Sequence, residues 1–257
     1  MERRRIRIDI ETLPKEIRDL AKGADIYDSS CSPEARVIFI DRDGGYFLKS
    51  SKKGSLQREA QMGRYFHEKG LTAAVIEYLS LDRDWLLTER VGGEDATNKL
   101  YLSDPKRLAE TSALILRELH ELDFSDCPVK DRMGEYFSTV EKNYRSAEFD
   151  LSYGGFSSAE DAYRFAMDGR RLLKSDTLIH GDYCLPNFLM DNWRFSGFID
   201  LGNSGVGDRH VDLFWGAWTL NFNLKTDRYR DRFFDAYGRD KINSDALAVI
   251  SAAECFG

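Results

Sequence analysis

The sequence predicts an α+β fold of two lobes, an antiparallel sheet followed by a mainly helical part. Three observations carry this. Short apolar runs rich in β-formers and divided by turn residues fill the first third, at 37–40, 46–49, 73–79 and 85–89. Apolar stripes at helical spacing dominate after Asp104. Between helical stretches lies a loop-rich segment, 178–201, in which polar residues sit beside two short apolar runs. The expected division is a first lobe over residues 1–91 and a second over 92–257.

Taken in order, 6–24 reads as a strand-like start and then a short helix beginning near Pro14, whose fixed φ suits a first turn. Asp41-Arg42-Asp43-Gly44-Gly45 supplies the positive-φ positions of a hairpin between 37–40 and 46–49. A helix is expected over 55–69. Two further strands, 73–79 and 85–89, are split by the turn Asp82-Arg83-Asp84, and 88–93 reads as a linker. Asp104-Pro105 is an N-cap followed by proline at the first helical position. Leu108, Ser112, Ile115, Leu116 and Leu119 then form one face of a long core helix, with His120 as a helix-end residue rather than a catalyst. Further helices are expected over 133–144, 159–173, 213–223, 229–237 (stopped by Gly238) and 243–255. Strands at 188–190 and 198–199 are joined by a turn at Asp191-Asn192.

At 257 residues, 42% hydrophobic and 32% charged, the chain can bury a full core and is not a disordered type. A net charge of −7 disfavours nucleic acid and suits a cationic small molecule. Cys31, Cys127, Cys184 and Cys255 form no C-x-x-C pair, which argues against a zinc site or disulfide framework and fits a reducing compartment. The start Met1-Glu2-Arg3-Arg4-Arg5 is basic but precedes no apolar stretch, and no run approaches the ~20 residues of a membrane span. A cytoplasmic protein without membrane or nucleic-acid partners is expected, as a monomer or homodimer.

The chemistry concentrates in 178–201, LIHGDYCLPNFLMDNWRFSGFIDL. Asp182 follows His180-Gly181, Asn187 comes five residues later, and Asp200 ends a second apolar run. Phosphoryl transfer needs one carboxylate to orient an attacking hydroxyl and hard oxygen ligands to hold Mg²⁺ on the nucleotide phosphates. Asp182 fits the first task, and Asn187 with Asp200 the second; this is the spacing of the protein-kinase catalytic loop and metal aspartate. In that pattern a strand lysine reaches the phosphates and a glutamate on the next helix holds it, which selects Lys49 and Glu59. Ser30, within Ser29-Ser30-Cys31-Ser32, stands where small residues would cover the phosphates.

With HGD-x4-N, Ile199-Asp200-Leu201-Gly202, Gly205-Val206-Gly207-Asp208-Arg209 and Asp212, the chain resembles the aminoglycoside phosphotransferases, most nearly those acting on the 3′ hydroxyl. The resemblance implies a protein-kinase-like fold, ATP (GTP remaining possible) with Mg²⁺, and a cationic aminoglycoside acceptor, with antibiotic resistance as the outcome. It implies adenine contacts at the Thr88 carbonyl and the Arg90 amide. It implies substrate contacts at Asp182, at acids of the 145–161 segment such as Glu148 and Asp150, and at the C-terminal Glu254 and Phe256. Many relatives carry arginine where this chain has Asn203, and Asp208 and Asp212 are expected to brace the catalytic loop. Two other functions share the motif: a kinase of another small alcohol (choline, homoserine or a sugar amine) and a nucleotide-binding protein without catalysis.

Overall fold

The computed structural model of the protein describes residues 4–257; Met1 to Arg3 of the basic start lie outside the described residues. The chain divides into two compact units, Met1–Gly92 with Ser196–Gly202, and Gly93–Phe195 with Asn203–Gly257.

The first unit is built on six antiparallel strands, β1 (Arg4–Arg5), β2 (Asp25–Asp28), β3 (Arg36–Asp41), β4 (Tyr46–Ser51), β5 (Val75–Ser80) and β6 (Asp84–Glu89), in the order β1-β2-β3-β4-β6-β5. Alternation along the strands sorts side chains between two helices. Ile38 and Ile40 of β3, Leu48 of β4 and Leu87 of β6 pack on α1 (Lys15–Ala21) through Ile17 and Ala21, four apart, and on Leu13 just before it. Pro14 takes the N-cap position of α1, one residue before the predicted first turn. Residues of opposite parity face α2 (Gln57–Glu68), where Leu56 and Ala60 pack on Leu86. The N-cap of α2 is Leu56, which has no side chain able to cap. Asp84, fully buried, anchors the helix start in another way: it takes hydrogen bonds from the N–H of Leu56 itself (2.9 Å), the Tyr78 hydroxyl (3.1 Å) and the Ser80 hydroxyl (2.7 Å). The helix is therefore tied to the sheet at its first turn. Strand β2 was not expected, because Asp-Ile-Tyr-Asp offers only one buried residue, Ile26.

The second unit is mostly helical: α3 (Lys99–Leu102), α4 (Pro105–His120), α5 (Arg132–Arg145), α6 (Ala159–Gly169), α7 (His210–Leu224), α8 (Arg230–Tyr237) and α9 (Ser244–Ala253). Asp104 caps α4 by accepting from the Arg107 N–H, as its sequence signature requires. Met133, Phe137 and Val140 of α5, Ala162 and Ala166 of α6, and Val249 and Ile250 of α9 share one core with Phe256. The small strands β7 (Glu94–Asp95), β8 (Thr177–Ile179), β9 (Phe188–Asp191) and β11 (Gly205–Gly207) carry the polar loops, and β10 (Arg194–Phe198) begins in this unit and ends in the stretch counted with the first. Antiparallel pairing of β8 with β11, Ile179 opposite Gly205, fixes where the chain leaves for His180. The turn between β9 and β10 has positive φ at Asn192 (49°) and Trp193 (70°), one residue later than the predicted Asp191-Asn192 turn. No helix among the described residues is long and apolar enough to cross a membrane.

Candidate active site

In the first unit, alternation sends Leu48 into the α1 core and Lys49 to the α2 side, opposite Leu86 on β6. Its ammonium donates to both carboxylate oxygens of Glu59, at 3.0 and 2.8 Å, and to Asp200 Oδ1. Burial works against the ammonium, but the Glu59 and Asp200 carboxylates outweigh it and hold Lys49 well above its ordinary range. Asp200 is brought there by its own strand end: the Phe198 N–H donates to the Leu71 carbonyl (2.8 Å), and the Thr72 hydroxyl donates to the Phe198 carbonyl (2.7 Å). Asp200 adopts a left-handed backbone (φ 60°), and its Oδ2 accepts no hydrogen bond among the described residues.

In the second unit, Asp182 and Asn187 form a pair. The Asn187 amide nitrogen donates to the Asp182 carbonyl and to its Oδ2, both at 2.9 Å. The amide oxygen of Asn187 accepts no hydrogen bond among the described residues and so stays open to a cation. The loop that carries Asp182 is held by its backbone. Buried Asp212 accepts from the His180 N–H and the Gly181 N–H, both at 2.7 Å. Asp212 is itself fixed by His120, which donates from Nε2 (3.0 Å) and accepts the Tyr237 hydroxyl at Nδ1 (2.8 Å). Burial lowers His120 against the opposing pull of Asp212, so the ring stays neutral in this chain of donors. Gly181 has φ 83°, and a Cβ there would stand 2.1 Å from the Asn203 carbonyl; only glycine fits. That carbonyl accepts from Arg132 Nε at 2.9 Å, and Arg132 Nη2 reaches the Asn203 side chain at 3.4 Å.

Beside this loop Glu254, 5% exposed, accepts from the Tyr136 hydroxyl (2.8 Å) and the Trp215 indole (3.1 Å). Burial raises its carboxyl to about 7; the two donors oppose the rise and the Asp182 charge adds to it. Cys184 bonds to Asp182 and Thr219, and burial with the Asp182 charge keeps its thiol protonated.

Residues 32–249 match the phosphotransferase enzyme family, APH. The chain belongs to this family. It is 50% identical over 256 residues, covering 98% of both chains, to a probable aminoglycoside 3′-phosphotransferase of Lactococcus lactis. It is 29% identical over 247 residues, 91% of each chain, to an aminoglycoside 3′-phosphotransferase of Streptomyces fradiae. Its fold is shared with a crystal structure of an aminoglycoside-3′-phosphotransferase of type VIII (TM-score 0.74, 24% identity, 95% of this chain and 97% of that one). It is also shared with APH(3″)-Id from Streptomyces rimosus in complex with ADP and streptomycin (TM-score 0.70, 21% identity, 86% and 91%). The expected kinase-like α+β class is therefore the observed one.

Within this phosphotransferase several expected contacts take different places. The Ser30 hydroxyl accepts from the Val37 N–H (3.0 Å) and donates to the Val37 carbonyl (3.3 Å), and the Ser30 N–H donates to Asp28 (3.0 Å), so the residue closes the β2–β3 turn with both of its donors engaged. The Arg90 amide donates to the Gly45 carbonyl (3.0 Å) and is not available to adenine. Bonded pairs alternate in an antiparallel ladder, so Thr88, two residues earlier and opposite Phe47, also spends its carbonyl on β4. The next amide outward, Val91 N–H, has no backbone partner among the described residues. Phe256 is 1% exposed and packs on Tyr144, Phe149 and Tyr163; it fills the core and offers no face to a substrate. Glu148 and Asp150 differ from these: both are exposed, and Asp150 caps the short helix at Leu151–Tyr153 with Oδ1 alone, which accepts from the Ser152 N–H (2.9 Å). Sequence reading missed Tyr136 and Trp215 beside Glu254, and Asp84 beneath α2; each meets its partner across a gap in sequence that no local pattern marks.

Proposed function

We propose that this phosphotransferase moves the γ-phosphoryl group of ATP to the 3′ hydroxyl of an aminoglycoside, in the cytoplasm, and so confers resistance. The observation that carries the reaction is the Asp182–Asn187 pair: a carboxylate anchored by an amide nitrogen whose amide oxygen remains open. The substrate class is supported by the relatives named above and by a buried acid, Glu254, within electrostatic reach of Asp182.

Asp182 orients the acceptor hydroxyl and takes up its proton, while Asn187 keeps the carboxylate from turning away. Lys49, held by Glu59, meets the phosphates as a fixed positive charge. The open oxygens of Asn187 and Asp200 are the hard donors that Mg²⁺ prefers, and these two residues would hold it. When bound, the ion neutralises negative charge on the phosphate oxygens. Val91 N–H takes the adenine-side role once expected of the Arg90 amide. Glu254 pairs with an acceptor ammonium.

The test is ATP consumption by the purified protein against a panel of kanamycin, neomycin, choline and homoserine. Kanamycin and neomycin should be turned over, with the product carrying phosphate on the 3′ oxygen. Turnover of choline or homoserine alone would overturn the acceptor assignment, and none with any acceptor would overturn catalysis.

A further inference from the structure

One face of α7 presents Trp215, Trp218 and Phe222, spaced three and four residues apart. Tyr153, from the short helix Leu151–Tyr153, stands against it, with ring centroids 5.7 Å from Trp215 and 5.8 Å from Trp218. Trp218 stacks on Phe222 at 5.0 Å and 12°. Phe222 is 55% exposed, and Tyr153 and Trp218 are half-buried. The Tyr153 hydroxyl and the Trp218 indole N–H make no hydrogen bond among the described residues, and neither is sealed from solvent. Core aromatics satisfy such groups: Tyr136, Tyr183 and Tyr237 in the same unit all do.

The ladder adjoins the reacting end of the site. Thr219, next to Trp218, accepts the Leu185 N–H of the catalytic loop at 3.2 Å, and Trp215 donates to Glu254. Asp150, Glu254 and Asp182 all act electrostatically on Tyr153. An apolar surface with unsatisfied polar tips, rimmed by acids, is complementary to a polyamino sugar. Its ring has a C–H face for the aromatic plane, hydroxyls for the tips and ammonium groups for the acids and the π-face. Lys225, whose ammonium lies 4.3 Å from the Phe222 centroid, already shows a cation seated on this ladder and closes its outer end.

Resting on the acceptor class given above, we propose that Tyr153 and Trp218, backed by Phe222, form a stacking platform for one sugar ring of the aminoglycoside. The platform selects acceptors with a ring beyond the one that is phosphorylated.

The experiment compares the full-length wild type with Trp218→Leu and Phe222→Ser, using kanamycin and ATP. The KM for kanamycin should rise about tenfold in Trp218→Leu and less in Phe222→Ser, with the KM for ATP within about twofold. Saturation-transfer NMR on the wild type should then show aromatic saturation reaching the face protons of one kanamycin ring. This readout serves even if Trp218→Leu fails to fold. A kanamycin KM unmoved in both variants, or no ring-selective saturation, would overturn the platform. So would a wild-type dimer lost in Phe222→Ser with the kanamycin KM intact, which would assign this face to a second copy. Failure of the wild type to phosphorylate kanamycin would instead sink the acceptor reading on which the platform rests.

Discussion

Lys49, partly buried, and Glu254, fully buried, are both charge-bearing groups, yet they are compensated in opposite ways. Lys49 has two carboxylates on its ammonium and keeps its charge firmly. Glu254 has two neutral donors and no cation, and burial raises its carboxyl to about 7. The difference matches the ligand proposed for each group. Nucleotide phosphates arrive as anions, so the protein must keep a cation in place and prevent it from wandering. An aminoglycoside arrives as a cation, so under the proposed reaction an acid short of a counter-ion would gain one when the substrate binds. Lys49 is preorganised by its own ion pairs, and in the proposed reaction Glu254 is completed by its ligand.

Four measurements would break or sharpen that contrast. The largest effect is expected for Asp182→Ala, which should lower kcat by about a thousandfold or more while nucleotide affinity stays close to the wild type. Substantial residual transfer would refute its role. Lys49→Ala should come next, with kcat/KM for ATP down about a hundredfold and the KM for kanamycin little changed. Equal damage to both KM values would erase the distinction between the ends.

Glu254→Gln should raise the KM for kanamycin about tenfold. It also carries a pH signature whose sign follows from its raised carboxyl. The folded protein holds this proton more tightly than the unfolded chain, whose carboxyl keeps its ordinary value of 4.5. Stability from this group is therefore lost as pH rises from 4.5 to about 7, and thermal melts of Glu254→Gln should show a flatter profile across that window. In the wild type the kanamycin KM should fall as pH passes upward through about 7, as the carboxylate forms; in the variant it should not. The smallest effect belongs to Ser30→Ala. Loss of its bond with Val37 should cost at most about 1 kcal/mol in a denaturant titration and leave the KM for ATP within about twofold. A large rise in that KM would restore Ser30 to the phosphate site.

The contrast also marks what could be read from sequence. Lys49, Glu59, Asp182, Asn187 and Asp200 sit at spacings set by one strand, one helix and one loop, and the structure pairs Lys49 with Glu59 and Asp200, and Asp182 with Asn187. Strand parity alone sends Lys49 away from the α1 core. The Arg90 amide is already engaged because hydrogen-bonding direction alternates along a strand, and the phase is set by the pairing of Arg90 with Gly45. Glu254 and Phe256, two residues apart, looked alike as terminal candidates, but Phe256 fills a core assembled from α5, α6 and α9.

By itself the sequence determined strands β3 to β6, the longer helices, the fold class and the spacing of the polar residues, because those depend on periodicity, turn chemistry and short loops. Only the tertiary structure decided which polar groups were already spoken for: Ser30 by Val37, the Arg90 amide by Gly45, Leu56 by Asp84, Glu254 by Tyr136 and Trp215. A hydrogen-bonding group's availability depends on burial and on partners from distant segments, and neither is encoded in the residues beside it.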